Sequence, residues 1–245
     1  MATLYNPNKK RGLFYMPMSG GTGRSTTPPG PAPLAQIDNL NSMSFDGTDD
    51  FINVGSSEYL NGLNKMSVST WINSDGYEGS SEQNILNDWN YNTANGHFRY
   101  DVTTSGYLRA SIKVSTTTYG ARIADSFTFT DGTWYYTTFV FDGTLTGNEN
   151  RLKIYINGIE QTTTQFSYDI PATLQNSTST INIGRFGLAS PRLFKGNIDE
   201  VGIFNVALTD AEILSIYNAT AVVSGVNKTA DLSQLTTPPV AWYRM

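Results

Sequence analysis

The stretch WYYTTFVFD, Trp134 to Asp142, constrains the fold more than any other part of the chain. With the period of two that a β-strand imposes, Trp134, Tyr136, Thr138 and Val140 point one way, and Tyr135, Thr137, Phe139 and Phe141 the other. Both faces are apolar or aromatic. Such a strand has to be central in its sheet and covered on both sides, so the fold needs layers.

Other segments repeat the alternation. Met43 and Phe45 share a face before the turn Asp46-Gly47-Thr48-Asp49; Ile52 and Val54 follow. Met66, Val68, Thr70 and Ile72 form another such row, and so do Ile181 and Ile183. Leu152, Ile154 and Ile156 run into Asn157-Gly158, the dipeptide that best supplies the two positive φ angles of a type I′ hairpin, and Ile159 opens the return strand. One helix stands out, from Thr209 to about Tyr217. Thr209 and Glu212 have the spacing of a capping box, Leu208 faces Ile213 as a hydrophobic staple, and Ile213, Ile216 and Tyr217 share a face. The combination predicts an all-β fold, a two-sheet antiparallel jelly-roll sandwich with one short helix.

The flanks differ. SGGTGRSTTPPGPAPLAQ (19–36) is rich in Gly, Pro, Ser and Thr with little to bury, which reads as an extended arm. SGGTGRST lacks the Lys-Ser/Thr ending of a phosphate loop, and no strand leads into it. The expected organisation is an arm at 1–38, a sandwich at 39–218 and a C-terminal extension at 219–245.

A chain of 245 residues can bury a large core without covalent staples, and with no cysteine it has none. A net charge of −5 argues against nucleic acid or an anionic membrane as partner. No apolar run approaches the ~18 residues of a membrane span, so no membrane insertion is expected. Lys9, Lys10 and Arg11 are not followed by the ~7–15-residue apolar run of a Sec-type signal, so export is expected only by lysis or a dedicated machine.

MSFDGTDDFINVG (43–55), MSVSTWIN (66–73), DGTWYYTTFVFDG (131–143), RLKIYINGIEQ (151–161), and INIGR followed by FKGNIDEVGIFNVALTDAEILSIYN (181–218) occur in an order and spacing that resemble the laminin-G-like branch of the concanavalin A-like lectin/glucanase superfamily. The resemblance covers about Leu40 to Asn218. It implies two antiparallel sheets, one curved and used for ligands. TTPPVAWYRM (236–245) is similar to the first strand of another such module, and GLFYMPM (12–18) to a degenerate version of it. Either the tail opens a further module or its strand belongs to this fold.

The resemblance also implies calcium near the first and last strands, held by Asp199 with Asp46 or Asp49; hard oxygen donors are what calcium selects. By strand parity Asp199 shares a face with Val201 and Ile203, where a bare carboxylate is costly. The alternative is that these acids cap backbone N–H groups at the sandwich corners. In NILNDWNYNTANGHFRYD (84–101), Asp88, Trp89, Tyr91, Asn92 and Tyr100 mix flat apolar faces with polar groups, the mixture that binds sugars. Core or rim packing and a protein contact are the other readings.

Catalysis is not expected. Glucanases of the superfamily carry Glu-x-Asp-x-x-Glu on one strand face, which is missing here, and adjacent Asp199 and Glu200 would face opposite sides. His97 reads as polar loop surface. Similar modules recur in phage structural proteins, so the expectation is a non-enzymatic virion protein of a tailed phage: a capsid decoration, head fibre or tail-associated adhesin. Its arm would dock on capsid or other virion proteins, its sandwich would meet host-surface glycans, and it would form a homo-oligomer. The alternative is a carbohydrate-binding or adhesion module that is extracellular or on a bacterial cell surface.

Overall fold

The computed structural model describes residues 34–76, 81–89, 95–115, 117–186, 192–219, 221–223 and 226–244. SGGTGRST, GLFYMPM and nearly all of the arm lie outside them.

Two antiparallel sheets, of seven strands each among the described residues, carry the fold. The first runs in the order Ile159–Glu160, Leu152–Ile156, Trp134–Asp142, Lys65–Ser74, Lys195–Phe204. The far edge of Lys195–Phe204 is shared between Met43–Asp46, which pairs with its first half, and Ala241–Tyr243, which pairs with its second. The second sheet runs Thr164–Ser167, Tyr119–Ala124, Leu108–Lys113, Phe98–Val102, Gln83–Asn87, Thr180–Ile183, Ile52–Ser56.

Trp134–Asp142 occupies the central place its composition demands. Phe139 and Phe141 enter the main core between the sheets, with Met66, Val68, Ile72, Phe98, Tyr100 and Ile112. Tyr136 and Val140 point to a second apolar cluster on the first sheet's other face, made with Ile213, Ile216, Leu232 and Leu235. The helix Asp210–Ala219 supplies much of that cover. Its start is the expected capping box: the Thr209 backbone N–H donates to Glu212 Oε2 (2.9 Å), and the Glu212 N–H donates to Thr209 Oγ1 (3.2 Å). Asn157 and Gly158 take φ of 52° and 79°, so the hairpin turn also forms as read.

The closing strand departs from simple alternation. Asp199 lies opposite Trp71 and Gly202 opposite Ser69, so two residues, Glu200 and Val201, face the single Thr70. This is a β-bulge, and Glu200 carries it at a φ of 50°. The extra residue shifts the parity. Ile198, Val201 and Ile203 enter the main core, whereas Asp199 shares a face with Trp71 of the second cluster. The expectation that Asp199 sits beside Val201 and Ile203 is therefore corrected, as is that of opposite faces for the two acids.

The tail strand Ala241–Tyr243 belongs to this fold, pairing with Val201, Gly202 and Ile203. Gln36–Asp38 pairs with Val226–Ala230, so residues before 39 and after 218 join the same compact unit, Pro31–Met245. The expected boundaries at 39 and 218 are too narrow.

Candidate functional site

In the second sheet Phe98, Tyr100, Val102, Leu108, Ala110 and Ile112 fill the core. The alternate residues therefore face outward, and they are strongly polar: Arg99 and Asp101 on one strand, Arg109, Ser111 and Lys113 on the next. Register places Asn87, Arg99 and Ser111 in one row and Asn84, Asp101 and Arg109 in the adjacent row. This outer face is not open. Arg99 is 6% exposed, Arg109 4%, Lys113 1%, and Asp101 and Ser111 0%.

Aromatic rings cover it. Trp89 meets Tyr119 edge-on at 4.9 Å and Phe186 at 6.4 Å between centroids. The Arg99 guanidinium lies 4.9 Å from the Phe186 ring and 5.9 Å from Trp89, and Lys113 Nζ lies 4.9 Å from Trp89. Beneath them runs an ion network. Arg109 grips Asp101 with two hydrogen bonds, Nε to Oδ1 at 3.0 Å and Nη2 to Oδ2 at 2.5 Å. Arg109 also reaches Glu82 at 2.5 Å, and Arg192 Nε reaches Glu82 at 2.9 Å. Arg99 is held more loosely, 3.5 Å from Glu82 and 3.4 Å from Asp101.

Burial pushes the Asp101 carboxyl up to about 7, with Arg99 opposing the rise. Burial likewise lowers the Lys113 ammonium to about 8, with Asp88 opposing. Lys113 Nζ donates to the Asn95 carbonyl at 3.0 Å. Three buried donors of this face have no hydrogen-bond partner among the described residues: Asn84 Nδ2, Arg99 Nε and Ser111 Oγ.

The glycan candidates separate. Trp89 is at the site and partly exposed. Tyr100 is a correction: it is fully buried between the sheets, with its ring 5.1 Å from Phe139, and cannot stack on a sugar. Asp88 is also reassigned, because its carboxylate is consumed. Oδ1 accepts from the backbone N–H groups of His97 (2.8 Å) and Phe98 (3.0 Å), and Oδ2 contacts His97 Nδ1. His97 is not loop surface; it is fully buried, with Nε2 2.9 Å from Asn61 Oδ1. Tyr91 and Asn92 lie outside the described residues. Sequence reasoning missed Arg99, Arg109, Lys113, Arg192 and Glu82, although the alternation of FRYDV and LRASIK already puts the charges on one face.

The acids of the first turn do meet. Carboxylate oxygens of Asp46, Asp49 and Asp50, all exposed, lie within 4.8 Å of one another. As a donor set of hard oxygens they fit calcium. Asp199 does not join them. Asp46 pairs with Lys195, which leaves Asp199 four residues along the strand, roughly 13 Å away. Asp199 instead accepts from Asn39 Nδ2 (2.6 Å) and the Glu200 N–H (2.8 Å).

Residues 46–214 match the Laminin_G_3 family, described as the concanavalin A-like lectin/glucanases superfamily. The chain belongs to that superfamily, and its jelly roll is the superfamily's fold. Among curated proteins none matches the chain. Solved structures that share the fold include a native heptameric SAP-like pentraxin from Limulus polyphemus, with a TM-score of 0.53, 16% identity, 77% of this chain and 90% of that one covered. Domain 4 of AbnA, a GH43 extracellular arabinanase from Geobacillus stearothermophilus solved with arabinotriose, superimposes at 0.50, with 19% identity over 75% of this chain and 80% of that one. The receptor binding domain of botulinum neurotoxin mosaic serotype C/D gives 0.53 and 18% identity, over 76% of this chain and 45% of the toxin domain.

Proposed function

We propose that this domain is a non-catalytic carbohydrate-binding module whose site is the outer face of the second sheet beside Trp89. The observation that supports it most is the combination found there: a partly exposed indole flanked by Tyr119 and Phe186, above a row of buried polar side chains. A sugar's C–H face stacks on such a ring while its hydroxyls meet amides and charges. AbnA domain 4, solved with arabinotriose, supports the reading by analogy of fold. A binding role also fits the acids of this face, since Asp88, Asp101 and Glu82 are each committed to an internal partner. Trp89→Ala is expected to abolish glycan-array binding while the protein stays folded; an unchanged array profile removes the site.

The finer reading is a virion structural protein of a tailed phage that docks through its N-terminal arm, homo-oligomerises and presents this face to host-surface glycans. Support comes from the arm's composition and the cysteine-free, acidic chain. Mass spectrometry of purified particles tests it; absence from virions leaves the bacterial extracellular module as the reading.

We also propose calcium at Asp46, Asp49 and Asp50. Chelation with EDTA is then expected to lower the melting temperature, with recovery on adding Ca²⁺ and not Mg²⁺. A melting curve indifferent to EDTA removes the metal.

A further inference from the structure

We infer that the second sheet's outer face carries an oxyanion-binding position formed by Arg99, Ser111 and Asn84, so that its ligand is an acidic glycan, bearing a uronate carboxylate or a sulfate ester. This rests on the carbohydrate-binding reading and specifies the class of sugar.

The first ground is the geometry of the unpartnered donors. Arg99 and Ser111 are directly opposite in register, and Asn84, on the strand at Arg99's other side, is opposite Asp101 and so diagonal to Arg99. Directly opposed side chains stand about 5 Å apart and diagonal ones about 7–8 Å. Asn84 Oδ1 already accepts from Asn87 Nδ2 at 2.7 Å, which fixes the amide with its own Nδ2 directed elsewhere. Arg99 Nε, Ser111 Oγ and Asn84 Nδ2 are all buried and, among the described residues, all lack a hydrogen-bond partner. Native proteins rarely leave such donors unmet, and a group that brings acceptor oxygens would satisfy them together.

The second ground is charge. Three guanidinium groups, Arg99, Arg109 and Arg192, share two carboxylates, Glu82 and Asp101. Asp101 is gripped by Arg109, and Glu82 by Arg109 and Arg192, which leaves Arg99 at 3.4–3.5 Å from both, beyond good hydrogen-bond length. Buried charge is tolerated when it is paired. One added oxyanion completes the pairing of Arg99, and Trp89, 5.9 Å above the guanidinium, would cover the sugar ring that carries it. Glu82 and Trp89, flanking the two ends of the strand Gln83–Asn87, keep partial exposure, while the donors themselves are buried, so entry of the oxyanion requires the aromatic cover to shift.

The test is calorimetric titration of the full chain with a panel of uronic-acid and sulfated oligosaccharides, each beside its carboxyl-reduced or desulfated form. Wild type is expected to prefer at least one anionic member over its neutral form by about tenfold or more, as a charge-assisted hydrogen-bonded contact implies. The carboxylate and sulfate arms show which oxyanion is taken. Arg99→Gln should erase that preference. Ser111→Ala, whose hydroxyl has no partner to lose and whose folding should be unaffected, should cut affinity for the anionic form alone by about threefold to tenfold. Equal binding of anionic and neutral forms overturns the inference and leaves the glycan reading standing. A preference that survives both substitutions overturns it as well. Binding to none of the panel overturns both.

Discussion

Asp88→Ala is expected to cost the domain about 3–5 kcal/mol, because it leaves three buried hydrogen-bond partners unmet at about 1–3 kcal/mol each. At about 2–4 °C per kcal/mol for a domain of this size, the melting temperature should fall by roughly 10 °C. The reason lies in what the carboxylate serves. Oδ1 accepts two backbone N–H groups, those of His97 and Phe98, and Oδ2 meets His97 Nδ1. On the far side of the ring, Asn61 Oδ1 takes both His97 Nε2 and the Ser177 N–H, at 2.9 and 2.7 Å. The Ser177 bond fixes which amide atom faces the ring. Removing Asp88 therefore strands two backbone donors and one imidazole nitrogen in a site with no water exposure. His97→Ala should cost less, because Asp88 keeps its two backbone donors. Thermal melts of the two variants check the order. A loss of under 2 °C for Asp88→Ala, or a larger loss for His97→Ala, would falsify this account.

The same contacts hold the candidate site. Gly96 has a φ of 117°, and a Cβ there would stand 2.7 Å from the Trp89 Cα. The Gly96 N–H donates to Ser177 Oγ (2.7 Å), and its carbonyl accepts from Gln175 Nε2 (2.7 Å). Residues 88–89 and 96–97 are thus pinned against each other, so the indole of Trp89 is presented from a clamped base. On the proposed carbohydrate-binding reading, Asp88 would act through the position of Trp89, without touching the sugar.

What was legible in the sequence follows one rule. Features set by neighbours within a few residues could be read: the two-faced strand at Trp134–Asp142, the Asn157-Gly158 turn, and the Thr209–Glu212 cap. Features set by distant segments could not. Parity correctly puts Arg99, Asp101, Arg109 and Lys113 on the face away from the core, where polar residues ordinarily meet solvent. Their burial comes from Trp89, Phe166 and Phe186, whose approach no local pattern announces. His97 looked like surface because its partners, Asp88 and Asn61, lie 9 and 36 residues away in the chain. The Asp199 assignment failed for a sharper reason. Alternation assumes one residue per step, and the single extra residue at Glu200 transfers both acids to the face of the second cluster.

That bulge supports the second large effect. Glu200→Ala is expected to cost about 2–4 kcal/mol, because the Glu200 carboxylate receives Trp242 Nε1 at 2.6 Å and Arg244 Nε at 3.2 Å. Both donors belong to the tail, whose strand Ala241–Tyr243 is held at the sheet edge by only three paired positions. Arg244 also donates to the Asp38 carbonyl at 2.6 Å, so Glu200 ties the C-terminal strand and, through Arg244, the strand Gln36–Asp38. Conformation separates from charge at this position. At a φ of 50° a non-glycine residue carries about 1–2 kcal/mol of strain. Glu200→Gly relieves that strain while losing the same bonds, and should be less damaging than Glu200→Ala by about 1 kcal/mol. Burial raises the Glu200 carboxyl above its ordinary value, with the Trp242 bond opposing. A carboxyl whose pKa is higher in the folded state keeps a proton that the unfolded chain has released. Its contribution is then full below the ordinary glutamate range and is lost as pH rises through the raised value. Glu200→Gln, which still accepts from Trp242, should lack that dependence, so wild type gains on it as pH falls from neutral toward the ordinary glutamate range. Denaturant melts of the three variants across that range read all of these effects. A Glu200→Ala variant as stable as wild type would show that the acid does not secure the tail. Equal stability of the Ala and Gly variants would remove the strain at a φ of 50°, and parallel pH profiles for wild type and Glu200→Gln would remove the raised carboxyl.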